Sequence, residues 1–181
     1  ILLTSYEETA IEKMVVGDVR TRVWILRFDS GRLVPILEGN RPAPFTSVAG
    51  VLPDGSGLIV ASLVEGEQRL YRSRGDLYSK TLVYEEITRA GEGFHYGVDV
   101  SPAGTAIVCH VTGGKFDGVH QKLRFPSYSI HRIELSNRDR TVLYGSDDHL
   151  YFGPVFSPNG ERIAFLDCRY KEDPAHTWAA L

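Results

Sequence analysis

Cysteine is nearly absent from this chain: two residues in 181, Cys109 and Cys168. That excludes a disulfide framework, and it neither demands nor excludes an oxidising compartment. Methionine occurs once and tryptophan twice. No block of lysine and arginine occurs, and 20 basic residues stand against 23 acidic ones for a net charge of −3. A mildly acidic chain without a basic patch excludes nucleic acid as the expected partner. No apolar run reaches the roughly 20 residues of a membrane-spanning helix, so no membrane partner is expected. A 3.6-residue apolar period over three turns is also missing. The best helical candidate, Glu7–Met14, is short, lies between two strand signals and reads as part of a loop.

What is abundant is punctuation. Eighteen glycines and nine prolines break a chain that is 43% hydrophobic and 24% charged, the balance of a folded globular protein. The punctuation recurs. VAGVLPDGSGLIVAS at 48–62, VDVSPAGTAIVCH at 98–110 and PVFSPNGERIAFLD at 154–167 share one shape: an apolar run, a turn with Pro second and Gly fourth, and a second apolar run. Pro presets φ at the first central turn position, and Gly takes the left-handed position that closes a hairpin. The anchors Pro53, Pro102 and Pro158 are 49 and 56 residues apart, the spacing of a four-stranded propeller blade with extended loops.

The intervening segments supply two more strands per unit. VWILRF at 23–28 and RLVPIL at 32–37 flank the turn Asp29-Ser30-Gly31. Arg69–Arg72 and Thr81–Glu85 flank Gly75-Asp76, and Tyr128–Leu135 and Thr141–Gly145 flank 136–140. The expected fold is therefore all-β, a β-propeller of four-stranded antiparallel blades with strands a, b, c and d in order. ILLTSYEE at 1–8 aligns with LIVASLVE at 58–65, at the start of a strand b, and 178–181 falls where a strand c begins. The expectation is about three blades' worth of a larger ring of about seven: residues 1–45 end blade 1, 46–92 form blade 2, 93–148 form blade 3 and 149–181 start blade 4. The alternative is a complete small domain whose two terminal half-blades pair with each other.

SPNGERIAF at 157–165, followed by a polar loop and a strand, resembles the TolB-type propeller repeat. The second unit departs from that pattern, with Leu52 where Ser is usual. A second resemblance is to propellers of the oligogalacturonate lyase type, which carry histidines in long loops between strands b and c. CHVTGGKFDGVHQKLRFPSYSIHRIEL and DCRYKEDPAHTW are similar in placement. TolB-type blades occur in enzymes and in binding scaffolds, so the fold does not choose a function.

Histidine placement offers the chemistry. In a propeller the d-to-a and b-to-c connections emerge on one face. His95 and His149 lie at d-to-a connections and His110, His120 and His176 at b-to-c loops, leaving only His131 inside a strand. Aligned on the hairpins, Thr46, His95 and Tyr151 are equivalent and are expected to ring the channel. His, Tyr and Arg converging there suit β-elimination of a uronate sugar. A cation neutralises the carboxylate and acidifies its α-proton, and His or Tyr moves the protons. Tyr151 and His95 are the candidates for proton transfer and Arg169 for the carboxylate. His149, Cys168 and His176 are the candidate ligands of a divalent metal, zinc or manganese. The bland alternative is amphipathic residues at loop–strand junctions, with Cys168 a small buried hydrophobe. Cys109, aligned with Phe165, reads as core.

TGGKFDG at 112–118 lacks the Lys-Ser/Thr ending of a phosphate loop and reads as a mobile rim. Ser5, Ser47 and Ser62 have no nucleophile-elbow context, so Ser-His-Asp hydrolysis has no support. Three functions follow: a polysaccharide lyase acting on acidic oligosaccharides or polysaccharides, a non-catalytic TolB-like module binding a protein or peptide, or the propeller part of a peptidase. Each expects the remainder of the ring as a further partner.

Overall fold

The computed structural model describes residues 2–6, 21–36, 46–65, 67–75, 82–112, 128–145 and 149–169. These form thirteen strands and, among the described residues, no helix. The strands are β1 (Leu2–Tyr6), β2 (Thr21–Leu26), β3 (Leu33–Ile36), β4 (Thr46–Val51), β5 (Leu58–Val64), β6 (Glu67–Arg74) and β7 (Val83–Glu86). They continue with β8 (Phe94–Val100), β9 (Ala106–Thr112), β10 (Tyr128–Glu134), β11 (Arg140–Tyr144), β12 (His149–Phe156) and β13 (Ile163–Arg169). Every pairing is antiparallel between sequence neighbours, giving sheets β1-β2-β3, β4-β5-β6-β7, β8-β9-β10-β11 and β12-β13. The proposed helix-free loop at Glu7–Met14 and the glycine-rich segment 113–118 lie outside the described residues.

The three hairpins have one geometry. Gly55, Gly104 and Gly160 adopt φ of 71°, 68° and 75°. Each donates its N–H to the carbonyl three residues back, on Leu52, Ser101 and Ser157. The hairpins also stack: a Cβ on Gly104 would meet Pro53 Cδ at 3.5 Å, and one on Gly160 would meet Pro102 Cδ at 3.4 Å. Ser101 Oγ accepts from the amides of Thr105 and Ala106, and Ser157 Oγ from that of Arg162. Leu52 has no hydroxyl for this; it turns instead into the core between the second and third sheets.

The second strands of the two middle sheets are buried on both faces because those sheets are sandwiched. β5 and β9 therefore read as nearly continuous apolar runs rather than alternating ones. Leu58 and Val60 pack with Val23 and Leu82 toward the first sheet. Ile59 and Ala61 pack with Ile107, Cys109, Val111 and Ile133 toward the third. Burial pushes the Cys109 thiol up to about 12, so it is a core group as its alignment implies. Polar ties cross the seams. Gln68 Oε1 accepts from His95 N, and Asp99 Oδ2 accepts from Phe156 N at 2.7 Å. β8 and β12, first strands of their sheets, lie against the preceding sheet.

Candidate functional site

Register defines the site. Thr46, His95 and Tyr151 stand opposite Ser62, Val111 and Asp167, at the same place in three successive hairpins. All three are buried, with His95 2% and Tyr151 5% exposed. Thr46 Oγ1 and Ser62 Oγ share a hydrogen bond of 2.6 Å.

His95 sits in the seam between the second and third sheets, and neither ring nitrogen makes a hydrogen bond. The Gly93 carbonyl is close enough to favour the charged form slightly. Burial, then the charge of Arg140 and the neighbouring His131, outweighs it and holds the imidazole near 3. His131 is held near 4 by burial and by Arg140. Its two nitrogens are committed: Arg140 Nε donates to Nδ1, and Nε2 pairs with Ser129 Oγ. A nitrogen that accepts from a guanidinium has no place for a proton, so the His131 ring is neutral, and burial keeps that of His95 neutral.

The fourth sheet carries a different arrangement. His149 opens β12 and bonds through Nδ1 to Asp167 Oδ1 at 2.5 Å. Its ring lies over Tyr151 with centroids 5.6 Å apart and planes 22° from parallel. Tyr151 in turn meets Tyr144 and Phe165 edge-on, at 5.5 and 5.7 Å. The imidazole therefore rests on a fixed aromatic shelf and is oriented by a carboxylate, the pairing that sets a histidine tautomer for proton transfer or ligation.

Of the expected site residues, β12 and β13 bring His149, Tyr151 and Arg169 onto one hairpin, with Arg169 opposite His149 in the register. Cys168 is opposite Leu150, one residue out of phase, so it belongs to the other face of the hairpin and is exposed. The expected grouping of Cys168 with His149 does not form, because a strand alternates its side chains. Among the described residues no three His, Cys, Asp or Glu side chains converge as a metal ion needs. His176 and His120 lie outside the described residues. His95 belongs to a different seam from the His149 pair. Asp167 was missed by sequence reasoning; its signal is an acid at a position held by Ser62 and Val111 in the sister strands.

Successive antiparallel sheets of up to four strands, each opened by an equivalent hairpin and stacked by its first strand on the sheet before, are the architecture of a β-propeller, of which this chain forms a part. Solved structures match on that basis. A putative TolB from Agrobacterium tumefaciens superposes with a TM-score of 0.61 at 18% identity, covering 93% of this chain and 50% of that one. TolB from Acinetobacter baumannii gives 0.54 at 16%, covering 80% and 31%. An oligogalacturonate lyase from Vibrio parahaemolyticus gives 0.57 at 12%, covering 84% and 41%. The chain thus spans half or less of each. No family model matches the sequence, and no curated protein does.

Proposed function

We propose that the chain is part of a carbohydrate-active propeller that cleaves uronate-containing sugars by β-elimination. The observation that carries this reading is the Asp167-oriented His149 lying on Tyr151. In this reading His149 takes the proton α to the uronate carboxylate, and the glycosidic oxygen leaves from the β-carbon with a proton returned to it. A double bond forms in the sugar and no oxidant is needed. Asp167 and Tyr151 are positioning residues: one fixes the tautomer, the other the ring plane. Arg169 supplies the cation for the substrate carboxylate, which acidifies the α-proton. His95, neutral and sealed in its seam, has a structural part rather than the proton-transfer part expected from sequence. The likeness to an oligogalacturonate lyase supports the substrate class.

The test is ultraviolet absorbance of unsaturated uronate released from a panel of acidic polysaccharides. His149→Ala should lower kcat at least about a hundredfold without lowering the melting temperature. Asp167→Asn should lower kcat and move the pH–rate profile. Product formation that survives His149→Ala would overturn the reading. A second reading, a non-catalytic TolB-like module for a protein or peptide, is favoured by the burial of His95 and Tyr151. It takes precedence if the wild type releases no product from any polysaccharide.

A further inference from the structure

Equivalent positions in the repeat carry different partners. Arg72 on β6 and Arg132 on β10 are equivalent, each on the third strand of its sheet, opposite Ile59 in one and Val108 in the other. Arg132 Nε lies 2.8 Å from Glu134 Oε1, so its charge is answered two residues along the strand. In the second sheet that place is held by Arg74, which takes Glu85 at 2.9 Å. Glu85 is also the register partner of Arg72. Arg72 is thus left without an ion pair among the described residues, and its buried Nε has no acceptor. A guanidinium donor held out of water without an acceptor calls for one.

Arg72 lines a cavity of about 200 Å³ between the hairpins of the second and third sheets. Leu52, Pro53 and Pro102 are its apolar walls, and Asp54 is the other charged side chain on its lining. Asp54 has no ion pair among the described residues either; its Oδ1 accepts from Ser56 N at 2.9 Å. That bond, then the Ser56 hydroxyl, hold its carboxyl below the ordinary value, and the Arg72 charge adds to them. The turn does not need an acid there. Ala103 holds the same place in the third sheet, and Gly104 closes that hairpin at φ 68° as Gly55 does at 71°. One cation and one anion therefore line the same small space without pairing with each other.

We propose that this cavity binds a free α-amino acid with an apolar side chain. Arg72 takes the α-carboxylate, for which its fork of N–H donors is suited. Asp54 takes the α-ammonium, and Leu52 and the two proline rings take the side chain. The carboxylate of Asp54 repels phosphate and other dianions. The volume is that of about seven water molecules. It lies below the roughly 300 Å³ at which drug-sized pockets begin, so a nucleotide or an oligosaccharide does not fit. Both sheets that form the cavity have their four strands within this chain. The cavity sits at the hairpin end of the sheets, whereas His149 opens β12 at the other end, so the proposal is independent of the lyase reading.

The experiment is saturation-transfer NMR on the 181-residue chain with L-leucine, N-acetyl-L-leucine, L-leucine amide and galacturonate. L-Leucine should show saturable transfer to its methyl groups. The acetyl derivative lacks the ammonium and the amide lacks the carboxylate, so each should bind at least about tenfold more weakly. Arg72→Met, which keeps an apolar stem, should weaken leucine at least about tenfold. Asp54→Asn keeps an acceptor for Ser56 N, as Asn159 is for Glu161 N, and should bring leucine down to the affinity of its acetyl derivative. Arg132→Met should leave leucine binding unchanged. Melting temperature checks that the variants fold. Absence of saturable transfer from leucine to the wild type overturns the proposal. So does unchanged affinity in Arg72→Met, an equal loss in Arg132→Met, or galacturonate or N-acetyl-L-leucine bound as tightly as leucine.

Discussion

His95 and His131 illustrate how far one buried side chain can be pushed by its neighbours. Both imidazoles are depressed from an ordinary value of 6.5, to about 3 and about 4, by burial first and Arg140 second. The groups around them are Arg140, Glu92, Ser129 and Cys109 on their own sheet and Gln68 from the sheet before. A depressed imidazole binds its proton more readily in the unfolded chain. Its contribution to stability is therefore complete above about pH 6.5 and is lost as pH falls toward 4 and then 3. We expect urea midpoints to fall steeply over that window and the slope to lessen in His95→Leu. Because neither ring nitrogen of His95 is bonded, the leucine should leave stability at pH 7 equal or higher. An unchanged acid slope in His95→Leu would show that other groups carry the loss.

At the scale of the element, the hairpin repeats and the bulged first strand is where it varies. β4, β8 and β12 each shift register near the middle, but only β8 and β12 place a left-handed glycine there. Gly153→Ala meets nothing within 4 Å, so its cost is backbone strain alone, about 1 kcal/mol. Gly97→Ala adds a methyl pressed against His110 and the Gly153 backbone, and should cost about 2 kcal/mol or more. Equilibrium urea unfolding of the two variants reads the difference. Equal losses would mean that the His110 ring yields at no cost. The same comparison explains what was legible in the sequence. Pro53, Pro102 and Pro158 announce the turns because turn geometry is local. Bulges are not announced, since whether a strand carries an extra residue is settled by its partner.

For the whole molecule, the decisive feature is a sheet face with high exposure that no described strand covers. β13 has no further partner strand among the described residues, and Leu166 and Val155 on the last sheet are 62% and 50% exposed. An apolar sheet face beside an open strand edge is a template for association. The 181-residue chain by itself should self-associate in sedimentation or light scattering, and Leu166→Lys should shift it toward monomer. A monodisperse monomer at every concentration would contradict this.

Sequence alone determined the strand order, the hairpins and the propeller class, because alternation, proline and glycine act over a few residues and repeat three times. It also placed Cys109 in the core and His149 and Tyr151 at the entry of the last sheet's inner strand, but it put Cys168 and Arg169 in the loop after the second strand, where the structure has them inside β13. It did not reveal that Cys168 falls on the opposite face, since that depends on a register counted from Leu150 across the hairpin. It did not reveal Asp167 as the partner of His149, or His110 among three aromatic rings from three strands. Nor did it separate His95 from that pair. Those relations join residues distant in the chain, and only the stacking of one sheet on the next brings them within the few ångströms where hydrogen bonds and ring contacts act.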